Sequence, residues 1–301
     1  MNEPRMTGSG PVVPRGLAER AREISDGRLT PAVPRDAATV ILLREAGAEG
    51  TGGAGAEAGV EAFLLRRTAE LEFAPGAYVF PGGSVDACDM DPGLGWAGPG
   101  PADFAALLDV PPDRARALVC AAVRETFEES GVLLAGPSEN ELAGDSTVLA
   151  ADRHALLAGS ASLAEVLGRR GLILRTDLLT PWARWITPEV SPRRFDTWFF
   201  AAALPPGQTA TAAPEGFGDH ADPGESESGN WLRPAAALEA ARGGQITLLP
   251  PTAVTLGELA GHPSLAAILG RRQVITPRLP KVIVEDGRMR LHLPPAGEER
   301  P

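Results

Sequence analysis

The sequence predicts a protein of mixed α/β or α+β class. Short apolar stretches that predict strands alternate with segments of helical periodicity along the 301 residues. Hydrophobic residues make up 44% of the chain, which is enough for a substantial core, and no internal repeat is visible. The length suits one large domain or two small ones.

The first elements predict a hairpin. Residues 1–34 are an N-terminal extension, with one short helix in "LAERAREI". The apolar stretches 37–44 ("AATVILLR") and 60–67 ("VEAFLLRR") predict buried strands. The Gly/Ala-rich segment 45–59 between them predicts a flexible loop. The two strands are therefore expected to pair across that loop.

A third strand, a Gly/Pro-rich segment and a long helix follow. The strand, 77–83 ("AYVFPGG"), ends in a glycine pair. Residues 90–112 have the composition of an insertion, which we expect to make an excursion without a part in the core. A helix is predicted from about Arg114 to Ser130, and Gly131 suits its C-terminal cap.

The second half mixes helices and strands again. The predicted elements are helices at 160–172, 233–244 and 251–272, a strand at 195–204, an acidic loop at 211–230 and a hairpin at 281–293. We predict a main domain at 35–245, with 90–112 inserted in it. A C-terminal extension of helices and a hairpin, 246–301, is expected to pack on the same domain.

Charge and cysteine content restrict the partners. The 28 Lys and Arg against 39 Asp and Glu leave a net charge of −11, which argues against binding to nucleic acid or to a membrane surface. No signal peptide and no run of 18 apolar residues is visible. Cys88 and Cys120 are too few for a disulfide framework. We expect a cytoplasmic protein that acts on a small molecule, with a homodimer as one alternative.

The long helix concentrates three acids on one side. At 100° per residue, Glu125, Glu128 and Glu129 fall within an arc of about 100°, opposite apolar positions. Arg124 is spaced to reach Glu128 at i,i+4. A solvated charged face is the alternative, but such faces usually alternate the two signs of charge. Converging carboxylates favour Mg²⁺ or Mn²⁺, which prefer oxygen ligands. The glycine pair before the helix would let a backbone carbonyl approach the same ion.

These residues resemble the box of the Nudix hydrolases. "RETFEESGV" matches its second half at Arg124, Glu125, Glu128, Glu129, Gly131 and Val132, and departs from it at Thr126. Gly83 is similar to the opening glycine, and Asp89 stands where the box has a glutamate. Residues 90–123 then take the place of a seven-residue spacer. Whether Asp89 still reaches the helix stays open.

The split box resembles one branch of that superfamily, which includes the peroxisomal acyl-CoA diphosphatases. "APGAYVFPGG" and "SGVLL" carry the likeness, and it extends more weakly over residues 35–260. The resemblance implies a Nudix-type α/β/α sandwich with a mixed central sheet, in which 35–245 form the Nudix domain. An insertion inside the box and a C-terminal extension complete the expected fold.

The resemblance also implies a metal-dependent mechanism. Nudix hydrolases cleave a nucleoside diphosphate linked to another group, by attack of an activated water on one phosphorus. By this resemblance, Glu125, Glu128 and Glu129 would bind Mg²⁺ or Mn²⁺, with the carbonyl of Gly83 as a further ligand. Arg124 would orient the acids. An acid from a later loop often completes such sites. Glu225 is the candidate, Glu227 is its competitor, and solvated loop acids are the alternative for both.

The implied substrate is CoA or acyl-CoA, cleaved to 3′,5′-ADP and (acyl-)phosphopantetheine. Nucleotide sugars or dinucleotides are alternatives, as is a non-catalytic nucleotide-binding regulator, although a regulator would typically have lost box acids. Arg66, Arg67, Arg193 and Arg194 are candidates for binding phosphate. For the last two, a charge pair at a strand end is the alternative.

Aromatic and sulfur residues are expected to serve the core. Trp182, Trp185 and Trp198 have the side chains to stack on an adenine, but core packing is favoured. Cys120 falls on the apolar face of the long helix, so we expect a buried thiol.

Overall fold

The structure is a computed structural model of the chain. It describes residues 13–47, 59–68, 74–213, 226–285 and 288–293. The strands are β1 (Arg35–Glu45), β2 (Val60–Arg67), β3 (Ala77–Val79), β4 (Gly82–Ser84), β5 (Trp96–Ala97), β6 (Ala135–Gly136), β7 (Ile173–Arg175), β8 (Thr180–Ile186), β9 (Phe195–Ala203), β10 (Ser226–Leu232), β11 (Thr247–Leu248), β12 (Pro277–Arg278), β13 (Lys281–Glu285) and β14 (Arg288–His292).

Helices lie between these strands. They are α1 (Arg15–Ser25), α2 (Pro101–Leu108), α3 (Pro112–Ser130), α4 (Ala150–Leu157), α5 (Leu163–Arg170), α6 (Pro234–Arg242), α7 (Pro250–Ala260) and α8 (Leu265–Leu269), with short 3-10 helices at Ala87–Met90, Ser146–Leu149 and Thr176–Leu178. Within the described ranges, none of the helices combines the length and the apolar character that crossing a bilayer requires.

The chain forms two compact units. The larger comprises Ala37–Trp182 and Trp198–Val274, and it contains the long helix α3. The smaller comprises the described residues within Met1–Asp36, Ala183–Thr197 and Ile275–Pro301. In the smaller unit β12 runs parallel to residues 184–185 of β8, and β13 pairs antiparallel with β14 as the predicted hairpin. The three-part division expected from the sequence stays a prediction.

A mixed sheet runs through the larger unit, as the family resemblance implied. Its strand order is β11-β3-β2-β1-β9-β8, with β10 also pairing β2 and β4 also pairing β1. Strands β1 and β2 are antiparallel, with Leu43 opposite Ala62, which confirms the predicted hairpin. Strand β11 joins β3 in parallel. The apolar residues that predicted strands β1 and β2 are buried, which explains their nearly continuous hydrophobic runs.

Helix α3 ends where its sequence predicts and begins two residues before the predicted Arg114. Pro112 stands in the first turn, where its missing N–H costs no hydrogen bond. Gly131 ends the helix in the left-handed conformation, with φ of 71°. Val123 and Phe127 are fully buried, and so is most of the helix apart from its acids. The helix is therefore a central element of the core with one polar edge.

The segment 90–112 is not the excursion expected from its composition. It forms β5 and α2, and Phe104 and Leu108 are each only 1% exposed. Phe104 and Leu108 are four residues apart, so both lie on one face of α2. The ring of Phe104 packs edge-on against Phe200 of β9, with centroids 6.3 Å apart. The segment therefore supplies part of the hydrophobic core, which the Gly/Pro count could not indicate.

Further elements differ from the sequence prediction, and the predicted strand 77–83 is divided into β3 and β4. The end of the expected acidic loop forms β10, which pairs with β2. The expected helical segment 251–272 is two helices, because a turn at Gly261 ends α7 and the hydroxyl of Ser264 caps α8. Strand β8 was not predicted, because its polar and apolar residues do not alternate regularly.

Replacing Phe104 by alanine tests the role of the segment 90–112. We expect the Phe104→Ala variant to lose about 3–5 kcal/mol of unfolding free energy, because it leaves a cavity in the core. Leu107→Ala in the same helix is the control. Leu107 is 48% exposed, so less than about 0.5 kcal/mol should be lost. Urea denaturation measures both, and equal losses would contradict the core role.

Candidate functional site

Two glycines allow β4 and α3 to approach closely. Gly82 and Gly83 lie opposite Thr39 and Ala38 in the pairing of β4 with β1. The N–H of Gly82 donates to Oε2 of Glu129 at 2.6 Å. A Cβ at Gly83 would overlap the carboxylate of Glu125. The glycine pair thus brings the strand backbone against two of the three acids. That the carbonyl of Gly83 binds a metal stays a prediction.

Arg124 forms a buried ion pair with Asp89. Its Nε and Nη2 donate to Oδ1 and Oδ2 of Asp89, each at 2.9 Å. Nη2 also donates to the carbonyl of Ser84 at 2.9 Å. Arg124 is 5% exposed and Asp89 is 1% exposed. A forked pair of this geometry is among the strongest charge-assisted contacts in proteins.

The remaining donor of Arg124 orients two acids. Its Nη1 donates to Oε1 of Glu125 at 2.8 Å and to Oε2 of Glu128 at 3.2 Å. The second contact confirms the i,i+4 contact expected from the sequence.

Asp89 does reach the helix, which answers the question left open by the long interruption of the box. It lies in the short 3-10 helix Ala87–Met90, where the N–H of Asp86 donates to its Oδ2 at 2.8 Å. The carboxylate is therefore held both by its own turn and by Arg124.

Thr126 satisfies its hydroxyl inside the core. The side chain is fully buried, at a position where the Nudix pattern has an apolar residue. Its Oγ1 donates to the carbonyl of Ala122, one turn earlier, at 2.6 Å. A threonine bonded in this way presents mainly its methyl group to its neighbours, which explains why the departure from the pattern is tolerated.

The site has unbalanced negative charge. Burial raises the pKa of Glu125 to about 8, against the opposing effect of Arg124, and the charge of Glu128 raises it further. Burial also raises the pKa of Glu128, again against Arg124, and Asp89 adds to the effect. Burial disfavours the charged form of Arg124, but the hydrogen bond to Asp89 and the charge of Glu125 raise its pKa overall. One guanidinium therefore does not neutralise the carboxylates around it.

The donor set suits a hard divalent cation. Every candidate ligand is an oxygen, and a cation would offset both the burial and the repulsion that raise the pKa values of Glu125 and Glu128. In the part of the chain that the structure describes, no three His, Cys, Asp or Glu side chains already have the arrangement of a metal site. Nη1 of Arg124 contacts one oxygen each of Glu125 and Glu128. A bound cation would have to use their other oxygens or displace Arg124.

The structure describes the other predicted ligands and phosphate contacts to different extents. Glu225 falls outside the described residues, and the structure describes only the backbone of Glu227, in β10. Arg66 is exposed on β2 opposite Tyr78, and both line a cavity of about 450 Å³ next to residues 244–247. Arg67 follows on the same strand.

Arg193 and Arg194 lie in the smaller unit. Arg193 is exposed. Arg194 is buried and donates to two backbone carbonyls, those of Thr187 at 2.9 Å and Ala32 at 2.8 Å. This bonding favours a structural role for Arg194 over contact with a phosphate.

The aromatic and sulfur residues have the roles expected of them. Trp182, Trp185 and Trp198 are all buried. Trp182 donates to Oε2 of Glu258 at 3.0 Å, and the guanidinium of Arg271 stacks on its ring at 4.2 Å. Cys120 is buried, and burial raises its pKa to about 12, as expected of an inert core thiol.

Arg153 contacts the acidic end of α3, and the sequence did not indicate this contact. It lies on α4, and its Nε donates to the carbonyl of Glu128 at 2.9 Å. Burial lowers its pKa to about 10, and the charge of Glu129 opposes that shift. No motif or spacing marks this arginine, because its contact with α3 depends on the folded chain.

The fold and the acidic helix are those of a Nudix hydrolase. A family model described as the NUDT19 Nudix domain matches residues 103–259, more than half of the chain. The chain therefore belongs to the NUDT19 Nudix-domain family, which confirms the predicted superfamily and its enzyme class. The model match covers α3 with its acids but begins after the glycine pair and Asp89.

Named relatives and a solved structure agree with this assignment. The acyl-coenzyme A diphosphatase NUDT19 of Gallus gallus is 28% identical over 270 residues, 77% of this chain and 69% of that protein. The Homo sapiens protein of the same name is 30% identical over 283 residues, 80% of this chain and 72% of its own length. A crystal structure of a Nudix hydrolase from Alicyclobacillus acidocaldarius superposes with a TM-score of 0.62. It is 25% identical and covers 81% of this chain and 99% of its own.

The raised pKa of Glu125 predicts a pH-dependent stability in the absence of metal. Between its ordinary value of 4.5 and about 8, the folded state binds more protons than the unfolded state. The free energy of unfolding should therefore fall as pH rises through this window. Glu125→Gln should show a smaller decrease, and Glu128 should account for the remainder. Urea denaturation in EDTA measures the slope, and identical slopes for both proteins would contradict the shift.

Proposed function

We propose that this Nudix hydrolase is a CoA or acyl-CoA diphosphatase that uses Mg²⁺ or Mn²⁺. The complete set of box acids around Arg124, within a box interrupted after Asp89, is the observation on which the proposal rests. The names of the relatives at 28% and 30% identity support the substrate class. The products would be 3′,5′-ADP and (acyl-)phosphopantetheine.

The residues of α3 and β4 would divide the work. Glu125, Glu128 and Glu129 would hold the cation, with the carbonyl of Gly83 as a further ligand. The cation would neutralise the diphosphate and make the attacking water more acidic. Arg124 would keep two of the acids in place without contacting the substrate. Water would lose a proton as it attacks one phosphorus, the P–O–P bond would break, and the bridging oxygen would leave with the other phosphate, which can take up that proton.

Arginines other than Arg124 would bind phosphate groups of the substrate. CoA carries a 3′-phosphate beside its diphosphate, so the site needs positive charge that a chain of net charge −11 must concentrate locally. Arg66, beside the cavity at β2 and β3, is the leading candidate, and Arg67 and Arg193 follow. Glu225, with Glu227 as its competitor, remains the proposed loop acid. A cytoplasmic location and a homodimer also remain predictions.

Removing one acid tests the proposed metal site. We expect Glu128→Gln and Glu129→Gln each to lower kcat by at least about 100-fold, because the charge that holds the cation is reduced. The exposed Glu139 provides a matched control, since Glu139→Gln removes the same charge elsewhere. Steady-state assays at saturating Mg²⁺ and Mn²⁺ make the comparison. Turnover close to that of the wild type in either box variant would remove these acids from the site.

A pair of substrates tests the proposed recognition of CoA. Dephospho-CoA differs from CoA by one phosphate, and a charge-assisted contact is worth a difference of about 10- to 150-fold in kcat/KM. We expect CoA or acyl-CoA to be cleaved faster by that factor. Equal rates would contradict a 3′-phosphate contact. Faster cleavage of ADP-ribose, a nucleotide sugar or a dinucleotide would replace the substrate class, and no cleavage of any diphosphate would favour a nucleotide-binding regulator.

A further inference from the structure

The last turn of α3 carries both Glu128 and Glu129, so its stability matters to the acids. The final carbonyls of a helix have no partner within the helix. Here the carbonyl of Phe127 accepts from the N–H of Gly131 at 2.9 Å, and that of Ser130 accepts from the N–H of Thr211 at 2.8 Å. The carbonyl of Glu128 accepts from Nε of Arg153 at 2.9 Å. Two of these three donors come from other parts of the chain.

Arg153 joins three segments at this point. Besides the carbonyl of Glu128, it donates through Nη2 to the carbonyl of Thr211 at 3.0 Å and through Nη1 to its hydroxyl at 3.3 Å. Thr211 in turn donates to Ser130. The guanidinium therefore links α4, the end of α3 and the chain at Thr211 in a closed set of hydrogen bonds.

Gly131 makes room for this guanidinium. A Cβ at Gly131 would lie 2.9 Å from Nη1 of Arg153, closer than van der Waals contact allows. The box glycine thus has two physical reasons to lack a side chain, namely its φ of 71° and the approach of Arg153. The positive charge of Arg153 also lies at the negative end of the α3 dipole.

We propose that Arg153 is a positioning residue for the acids of the last turn of α3. It would act by fixing the backbone of Glu128 and, through its charge, Glu129. This role rests on the proposed function, because it assumes that these acids bind the cation. A purely stabilising arginine is the alternative, and the two roles differ in what they do to metal affinity.

The chain contains a matched control. Arg170 donates twice to Oδ2 of Asp152, at 2.9 and 2.6 Å, and so ties α5 to α4 next to Arg153. In the part of the chain that the structure describes, both of these hydrogen bonds of Arg170 go to α4, and neither reaches α3. Arg170→Met therefore removes a guanidinium from the same region without touching the acids.

Mn²⁺ binding measured by electron paramagnetic resonance separates the roles. We expect Arg153→Met to weaken Mn²⁺ binding and to lower kcat by about 10- to 100-fold each, as is usual when the support of a metal ligand is lost. KM for CoA should stay within about threefold, because Arg153 does not contact the substrate. Arg153→Lys, which keeps the charge, should recover part of the loss. Arg170→Met should leave Mn²⁺ affinity unchanged, whatever its effect on the melting temperature.

A second variant tests the route through Gly131. Asparagine tolerates the left-handed conformation, so Gly131→Asn adds a side chain with little backbone strain. We expect it to displace Arg153 and to weaken Mn²⁺ binding in the same way. Combined with Arg153→Met, it should add little further loss, because both changes break the same contact.

Two results would overturn the proposal. The first is Mn²⁺ affinity of the wild-type value in Arg153→Met, with unchanged amide hydrogen exchange over residues 126–132. The second is an equal loss of affinity in Arg170→Met. Failure of the proposed function has a different signature, since the wild-type protein would then leave CoA intact. In that case the Mn²⁺ and exchange measurements still decide whether Arg153 positions the acids.

Discussion

The site depends on one buried guanidinium, that of Arg124, which lies among carboxylates. Desolvating a guanidinium and a carboxylate costs several kcal/mol, so a pair such as Arg124 and Asp89 persists only if its hydrogen bonds are nearly complete. The bonds to Asp89 and to the carbonyl of Ser84 use Nε and Nη2 of the guanidinium. These bonds fix the direction of Nη1, which donates to Glu125 and Glu128. Removing either Arg124 or Asp89 would leave the other as an unpaired buried charge. The orientation of Glu125 and Glu128 would also be lost.

The same pair explains how an interrupted box remains one site. Lengthening a loop costs little extra entropy, since the cost grows only with the logarithm of its length. The inserted chain offsets part of this cost by burying Phe104 and Leu108. Asp89 lies at the start of the interruption, and its ion pair with Arg124 holds it against α3. The inserted chain therefore begins after Asp89. The spacing along the sequence can therefore change while the spacing between side chains does not.

Local rules predicted the parts of the molecule that local physics determines. The acidic arc of α3 follows from helical geometry, the end of the helix follows from Gly131, and the first hairpin follows from two apolar runs. The approach of Asp89, the buried face of α2 and the contact of Arg153 with Glu128 all join residues far apart in the chain. No periodicity reports such pairs. Thr126 illustrates the same limit at short range. It is a polar residue in the sequence, but its hydroxyl donates to the carbonyl of Ala122 one turn earlier, so it can lie in the core.

The three-residue strand β4 gives the site an unequal tolerance to changes in chain length. A shift of one residue along β4 would remove one glycine from the positions opposite Thr39 and Ala38 and bring in Pro81 or Ser84. Proline has no N–H to donate to Glu129, and serine has a Cβ that would overlap the carboxylate of Glu125. After Asp89 the chain accommodates a whole helix and a strand without disturbing the acids. Before Gly82, a single inserted residue would take the site apart.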